Sequence, residues 1–403
     1  MKRLGLAAAA ALLLAASAAW ADDDTITIGM TTSQTGALNV DSLGQQRGTE
    51  MWRDEVNAAG GIKAGGKSYK VKFVTYDDQS QGSRVQQLYT RLIVQDHAQF
   101  LLGPYSSGLV ATAAVISEQY GKLMIITGGA EPKTYELGNK YLFQVITPAG
   151  GYLTNAVDAL QSVDPTAKIA LIYSDDPFSK AVIAATADQA KKAGMQIVMD
   201  ESYGPTTTDF GPVINKLISS GADTLFGGGH YSDGATLVRQ LYEQKANVKW
   251  VSILVAPGDD KFATLGPAAL GVTTGSQWEL PVKYEPQFGP TADQFVQAYR
   301  AKFNADPDYH AASGYTGGEI LQHAIEQAGS LDPDKIAETL NAMDVQTFFG
   351  RVKFMTDPEH HGLQAAHQMV LAQWLMENGA LKREVVWPKA AANAQLLYPI
   401  PSH

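Results

Sequence analysis

The sequence contains no cysteine among its 403 residues. This absence excludes disulfide bonds, a thiolate nucleophile and the residue to which a lipoprotein anchor is attached. Lys and Arg number 31 against 41 Asp and Glu, and no basic run is visible. We therefore expect no nucleic-acid partner, and the acidic balance indicates a soluble surface.

Motifs for catalysis are also missing. The sequence has no G-x-S-x-G nucleophile elbow, no phosphate-binding P-loop and no H-E-x-x-H zinc motif. The glycines of residues 60–66 follow a helix pattern and not a strand, so they do not form a dinucleotide loop. His360, His361 and His367 lie near acidic residues and could suggest a metal, but a solvated turn is the favoured interpretation. We expect no catalytic residue, no metal and no cofactor.

Long apolar runs are absent except at the N-terminus. Lys2 and Arg3 precede an apolar segment, residues 4–16, that is too short to remain as a membrane-spanning helix. Residues 19–21, Ala-Trp-Ala, fit a cleavage site. The pattern predicts a signal peptide over residues 1–21, with a retained anchor as the alternative. Export without a lipid anchor predicts a freely diffusing periplasmic protein.

The rest of the chain alternates strand and helix patterns in two series. Strand patterns of the first series lie at 25–30, 69–76, 100–102, 123–126 and 141–145, and those of the second at 168–173, 196–199, 224–226 and 250–254; a further strand pattern at 271–278 begins the tail. This alternation predicts an α/β fold with parallel sheets flanked by helices. The tail carries three helix patterns and then three apolar strand patterns, which a third small domain could also explain.

Residues 99–131 read as strand, loop, helix, strand and glycine loop. The first strand stops at Gly103, and Ser106 and Ser107 are good N-cap residues for the helix that follows. The second strand runs into residues 127–129, Thr-Gly-Gly. In a parallel sheet both loops lie at the edge where open α/β sheets bind ligands. A helix N-terminus with two hydroxyls suits a small carboxylate, although two ordinary capped loops are the alternative.

These loops also resemble a known family. GPYSSG and YGKLMIITGGAEP are similar to the ligand loops of periplasmic substrate-binding proteins of the leucine/isoleucine/valine-binding type, the soluble receptors of ABC importers. ITIGMTTSQTG, LGQQRGTEMWRDEVNAAGGI, KVKFVTYDDQS, KIALIYSDDPFSKAV and TLFGGGHYSDG resemble further family segments in the same order. The resemblance therefore covers nearly the whole chain after residue 21.

The resemblance implies a type I periplasmic binding protein fold. Two Rossmann-like lobes, each a parallel sheet flanked by helices, would be joined by a hinge of three segments. The chain would cross near residues 147, 279 and 349, because each lobe is completed by a C-terminal segment. Lobe 1 would comprise residues 22–147 and 280–348, and lobe 2 residues 148–279 and 349–403. Such a hinge bends without letting the lobes separate.

Ten ligand-binding positions follow from the resemblance: Leu43, Tyr105, Ser106, Ser107, Gly128, Gly129, Ala130, Phe178, Tyr231 and His310. Ser107, helped by Ser106, would hold the ligand carboxylate with its hydroxyl and N–H. The Gly128 carbonyl would accept a hydrogen bond from a ligand ammonium, and the Ala130 N–H would also be offered to the ligand.

The second lobe would cover the ligand with Phe178 and Tyr231, for which a core position and a capping loop are the respective alternatives. Leu43 and His310 lie where the family has further pocket contacts. Tyr105 and Trp278 could add aromatic walls.

Two positions depart from the family pattern. Ala130 stands where a threonine is usual, so one hydroxyl contact is lost. The second-lobe acid that opposes an ammonium is also missing, since Leu254 or Val255 is nearest that place and Asp259 and Asp260 come later. A buried ammonium without a carboxylate is costly, so an aromatic or aliphatic carboxylate or a short amide would suit the pocket better than a plain α-amino acid.

The sequence thus predicts an exported solute receptor of an ABC transporter of the branched-chain amino acid type. It would close on a small carboxylate-bearing ligand and deliver it to a membrane permease, as a monomer and without enzymatic activity. The alternatives are the same scaffold with an aromatic carboxylate or short amide, a ligand-sensing subunit, and, less favoured, an exported hydrolase.

Overall fold

The structure is a computed structural model that describes residues 24–401. The predicted signal peptide lies outside the described residues. The strands are β1 Thr25–Thr32, β2 Ile62–Ala64, β3 Lys67–Asp77, β4 Phe100–Leu102, β5 Met124–Ile126, β6 Leu142–Gln144, β7 Lys168–Ser174, β8 Gln196–Tyr203, β9 Thr224–Gly228, β10 Trp250–Ile253, β11 Thr273–Ser276, β12 Asp344–Gln346, β13 Arg351–Lys353, β14 Val370–Glu377 and β15 Ala380–Trp387. The α-helices are α1 Asn39–Ala58, α2 Gly82–Val94, α3 Ser107–Gln119, α4 Thr154–Val163, α5 Pro177–Lys192, α6 Gly211–Ser220, α7 Tyr231–Glu243, α8 Ala292–Phe303, α9 Tyr309–Ala328 and α10 Pro333–Asn341.

Two sheets organise these elements, as the alternating pattern predicts. The first has the order β2-β3-β1-β4-β5-β6 and is parallel except for β2, which forms a hairpin with β3. The second has the order β15-β14-β11-β10-β9-β7-β8, in which β14 runs antiparallel to both of its neighbours, and β12 and β13 form a separate two-stranded sheet. The strands near the middle of each sheet read as short apolar runs because helices cover both faces.

Helix α9 belongs to the first unit although it comes late in the chain. Glycines let α1 and α9 approach closely: a Cβ on Gly48 would lie 1.8 Å from the Ala311 carbonyl oxygen, and one on Gly314 would lie 2.3 Å from the Gln45 oxygen. This crossing places the N-terminal ends of α1 and α9 side by side. The tail therefore adds helices to the first unit and β14 and β15 to the second sheet, and does not form a separate third domain.

The connections between the two units are bonded to one another. The Thr147 N–H donates to Gln277 Oε1 over 2.9 Å, and the Thr147 hydroxyl lies 2.8 Å from His367 Nδ1. His367 Nε2 lies 3.1 Å from the Phe349 carbonyl oxygen, so Nε2 is the donor and Nδ1 the acceptor. Burial lowers the pKa of His367 to about 4, which keeps the ring neutral.

The third connection leaves the first unit later than the expected crossing near residue 349. The Phe354 ring packs against Phe143 at 5.2 Å, and the Gly362 carbonyl accepts a 2.8 Å hydrogen bond from the Gln144 N–H. Gln364 Nε2 donates to the Val145 carbonyl over 2.9 Å. Residues 354–364 therefore stay on β6 before the chain enters the second sheet at β14.

Candidate functional site

The candidate site lies where the strand order of both sheets reverses. In the first sheet β1 is flanked by β3 and β4, and α1 and α3 begin beyond the carboxyl ends of β1 and β4. In the second sheet β7 is flanked by β8 and β9, and α5 and α7 begin at the corresponding place. Open α/β sheets bind ligands at such switch points. Here residues from both switch points line one cavity.

The free space inside the cavity is about 10 Å³. This is far below the range of about 300–1,000 Å³ that is typical of ligand clefts, so the lining side chains nearly fill the site and a ligand would need the two units to move apart. It is lined by Tyr105, Ser106, Ser107, Thr127, Gly128, Ala130, Ile146, Tyr152, Phe178, His230, Val255, Tyr309 and His310. No Lys, Arg, Asp or Glu is among these lining residues of the described chain. The lining chemistry, with aromatic rings and a few hydroxyl and imidazole groups, suits a small apolar body that carries one polar group.

Ser107 is the most defined polar group of the cavity. Its Oγ accepts hydrogen bonds from the N–H groups of Ala130 and Glu131, at 3.0 and 3.1 Å. A hydroxyl has two acceptor positions and one proton, so both acceptor positions are occupied and only the proton remains. The hydroxyl is thus arranged to donate to an anion. The Ala130 N–H is engaged by Ser107 and is not free for a ligand, in contrast to its expected role.

Helix α3 starts beside this hydroxyl. Ser106 is the N-cap residue, with extended backbone angles and no side-chain hydrogen bond to the first turn. The first N–H groups of a helix have no partner within the helix, and the helix dipole adds a partial positive charge there. The start of α3 therefore complements the Ser107 proton as a binding place for a carboxylate.

Aromatic rings form the walls and join the two units. Tyr152 and Phe178 meet edge to face at 4.9 Å, and Phe178 stacks on the His230 ring at 5.8 Å. The Tyr105 hydroxyl of the first unit lies 3.0 Å from His230 Nδ1 of the second. Burial raises the pKa of Tyr105 well above its usual range, so this hydroxyl stays neutral. The flat apolar walls favour a planar or branched ligand body.

The His310 imidazole lines another side of the cavity, and two carboxylates outside the lining, Asp308 and Asp41, act on it. His310 Nδ1 is 3.5 Å from Asp308 Oδ2, and Asp308 Oδ1 accepts a 2.8 Å hydrogen bond from the Ala311 N–H. Burial opposes charge on His310, but the hydrogen bond and the charge of Asp308, followed by the charge of Asp41, raise its pKa. Burial raises the pKa of Asp41, whose Oδ2 accepts from the Tyr231 N–H over 3.3 Å.

Val255 occupies a strained turn in the cavity wall. Its φ is 56° and its ψ is −60°, and the Ala256 N–H donates to the Leu254 carbonyl over 2.6 Å. This is a γ-turn of the rare kind, and its backbone angles are strained for a β-branched residue. Strain of this kind often marks ligand-binding segments. An apolar side chain is thereby placed where the family resemblance leads one to look for an acid.

The two acids that follow Val255 serve other purposes. Asp259 accepts a 2.7 Å hydrogen bond from the Lys261 N–H, and Asp260 lies 2.9 Å from Arg383. Neither residue lines the cavity. The wall of the second unit therefore presents no carboxylate to a ligand.

The structure brings seven of the ten predicted positions to this cavity: Tyr105, Ser106, Ser107, Gly128, Ala130, Phe178 and His310. Three lie elsewhere. Gly129 faces inward, since a Cβ there would lie 2.5 Å from Val110, and its carbonyl accepts from Gln144. Leu43 lines a different depression, and Tyr231 is the first residue of α7, behind the cavity wall. Trp278 packs against Phe295 and Phe348 in the core instead of forming a wall.

Sequence reasoning missed six lining residues: Thr127, Ile146, Tyr152, His230, Val255 as an apolar wall, and Tyr309. His230 precedes the predicted Tyr231 by one residue, and its N-cap position turns it toward the cleft. A rule that favours N-cap residues over first-turn residues at strand-to-helix loops could have found it. The other positions depend on how the two units meet.

The histidines near residue 360 do not converge on a metal. His360 pairs with Asp357 at 2.8 Å, His361 packs on Phe143, and His367 belongs to the hinge. Within residues 24–401 no group of three or more such side chains is placed to hold a metal ion. Over the same residues, none of the helices combines the length and apolar character needed to cross a membrane.

Comparisons with known proteins agree with this geometry. An amino acid binding protein of Pseudomonas aeruginosa is 28% identical over 339 residues, which cover 81% of this chain and 85% of that protein. A Streptococcus pneumoniae branched-chain amino acid transporter substrate-binding protein, solved with isoleucine, has a TM-score of 0.75 at 23% identity and covers 90% of this chain and 100% of its own. An R. palustris solute-binding protein, solved with benzoate, has a TM-score of 0.76 at 18% identity and covers 94% and 98%.

The periplasmic binding protein family matches residues 25–380, which include every strand of both sheets except β15 and every residue that lines the cavity. Two α/β units whose switch points face one another across a shared cavity are the architecture that this match leads one to expect. The chain belongs to the periplasmic binding protein family.

Proposed function

We propose that the protein is the solute-binding receptor of an ABC transporter and that it closes on one small carboxylate. The carboxylate lies at the start of α3, where Ser107 donates its proton, and the apolar body lies between the aromatic rings. The observation that carries this proposal is the Ser107 hydroxyl, because both of its acceptor positions are already occupied. Contacts made to both units only when they are closed would drive the closure.

An aromatic carboxylate suits this cavity better than a plain α-amino acid. Val255 lies where an acid would face an ammonium, and none of the lining residues is Asp or Glu. Tyr105, Tyr152 and Phe178 offer ring faces and edges instead. The R. palustris relative in complex with benzoate is an example of such a ligand on the same fold.

A branched-chain amino acid is the second candidate ligand. The observation in its favour is Asp41, a carboxylate of the first unit that is only 1% exposed and lies near both His230 and His310. A ligand ammonium could use this charge together with the Gly128 carbonyl. The relative solved with isoleucine illustrates this alternative.

Three ligands of similar size separate these possibilities in calorimetry and thermal-shift assays. Benzoate should bind and raise the melting temperature, because a ligand that binds only the folded state stabilises it. Benzamide, which keeps the ring without the charge, should bind much more weakly, and isoleucine tests the role of Asp41. Tight binding of benzamide and none of benzoate would contradict the carboxylate site. Chromatography after incubation should recover the ligand unchanged, and product formation would overturn the assignment as a receptor.

We further infer that the protein is a periplasmic monomer cleaved after Ala21. The absence of cysteine leaves no lipid anchor to hold it at the membrane. Mass spectrometry of the periplasmic fraction should give a chain that begins at Asp22, and light scattering should give one copy per particle. A mass that includes the first 21 residues in a membrane fraction would contradict this.

A further inference from the structure

A second polar position of the cavity has no partner in the protein. His310 is 3% exposed and lines the cavity, and its Nε2 is a buried atom without a hydrogen bond among the described residues. Leaving a buried polar atom unpaired costs about 1–3 kcal/mol, so native proteins rarely do so without a reason. A bound ligand is the simplest partner for a group in this place.

The neighbours of His310 determine what its Nε2 can do. Nδ1 faces the Asp308 carboxylate at 3.5 Å, and Asp308 is held in turn by the Ala311 N–H. A carboxylate next to Nδ1 favours the tautomer with the proton on Nδ1. In the neutral ring Nε2 is then a bare acceptor, which calls for a hydrogen-bond donor.

The charge around His310 distinguishes this position from the start of α3. Asp308 and Asp41 both lie near the ring, and the cavity has no Lys or Arg to offset them. A ligand carboxylate is favoured at Ser107, where N–H groups and a hydroxyl proton converge, whereas the two carboxylates beside a neutral His310 disfavour one there. The two polar positions therefore select two different groups of one molecule.

We propose that the ligand is an aromatic hydroxy acid whose hydroxyl donates to His310 Nε2 while its carboxylate binds at Ser107. This inference rests on the proposed function, because it takes the carboxylate site as given. A hydroxyl also remains a partner if the ring becomes protonated, because its oxygen can accept from Nε2–H. A methyl or methoxy group in its place offers no proton and leaves Nε2 unpaired.

Calorimetry with benzoate, 3-hydroxybenzoate, 4-hydroxybenzoate and 4-methoxybenzoate tests this inference. We expect at least one hydroxybenzoate to bind about tenfold more tightly than benzoate, which corresponds to one satisfied hydrogen bond. His310→Phe keeps a ring and removes Nε2, so it should abolish this preference, and the readout is the ratio of hydroxybenzoate affinity to benzoate affinity in the same variant. His310→Gln, which retains an acceptor, should keep part of the preference and serves if the Phe variant does not fold.

His323→Phe is the matched control, because His323 lies on the same helix outside the cavity. It should leave all four affinities unchanged. If benzoate binds and neither hydroxybenzoate binds more tightly, the inference about His310 is wrong and the proposed function stands. If the preference for a hydroxybenzoate over benzoate survives His310→Phe, another group binds the ligand hydroxyl and the inference is again wrong. If none of the four carboxylates binds, the aromatic-carboxylate assignment of the proposed function fails, and binding of isoleucine would leave the branched-chain amino acid candidate.

Discussion

Replacement of Ser107 by alanine is the most direct perturbation of the proposed carboxylate site. The hydroxyl would make three hydrogen bonds in the complex, two accepted from Ala130 and Glu131 and one donated to the ligand. A hydrogen bond to a charged group contributes about 1.5–3 kcal/mol, so Ser107→Ala should weaken benzoate binding about 12- to 150-fold. The loss should be similar for every carboxylate, because it concerns the group that they share.

The same substitution should also lower the stability of the unliganded protein. It removes the acceptor for two backbone N–H groups, and each costs about 1–3 kcal/mol if water cannot reach it. Urea unfolding would measure this loss separately from binding. Ser107→Thr keeps the hydroxyl and should preserve much of the affinity if the added methyl group fits.

Ser106→Ala is the control at the neighbouring position. The Ser106 side chain makes no capping hydrogen bond, so its removal should change affinity and stability much less. A folded Ser107→Ala protein that binds benzoate within twofold of the original would refute the reasoning. Equal losses for Ser106→Ala and Ser107→Ala would show that helix N-terminal geometry, and not the proton of Ser107, holds the ligand.

Three further predictions concern the hinge, a buried ion pair and the cavity wall. The pKa of His367 falls from 6.5 to about 4 in the folded state, so the unfolded chain binds a proton at this residue at higher pH than the folded protein does. The free energy of unfolding should therefore fall by up to about 3 kcal/mol as the pH drops from about 6.5 to 4. Urea unfolding at several pH values measures this fall, and His367→Gln should reduce it. Arg383→Gln should destabilise the protein by about 3–5 kcal/mol in chemical denaturation, because it removes the partner of the nearly buried Glu279, whose Oε2 lies 2.8 Å from Arg383 Nε. A smaller loss of stability in the double variant with Glu279→Gln would support that reason. Val255→Glu should weaken benzoate binding about tenfold or more in calorimetry, because it adds a negative charge beside the ligand, and an unchanged affinity would place the ligand elsewhere.

Local signals in the sequence account for the parts of the site that were predicted. Ser106 and Ser107 follow a strand and start a helix, and Gly128 lies in the glycine loop directly after β5. Such constraints act within a few residues of the chain, so composition and order reveal them. The alternation of strands and helices likewise predicts both sheets, because a parallel sheet needs crossover helices.

The differences between the expected ligand positions and the lining of the cavity arise where helix phase and contacts between units decide the outcome. On α1, Asp41 and Gln45 are one turn apart and turn toward the interior, whereas Leu43 lies on a different side. A shift of two positions on a helix is a rotation of about 200°, which family resemblance alone does not resolve. Tyr152 and Tyr309 reach the cavity only because two distant segments pack together, and no local pattern records that packing.

The hydrogen bonds among the three connections bear on selectivity. If the connections were separate flexible linkers, the two units could rotate and slide relative to each other, and ligand binding would have to restrict those motions each time. Because Thr147 is bonded to both Gln277 and His367, much of that freedom is already lost when the chain folds. Less of the attraction between solute and protein is then consumed by ordering the receptor. When two solutes differ by one functional group, the resulting difference in binding free energy can consequently appear almost fully as a difference in occupancy.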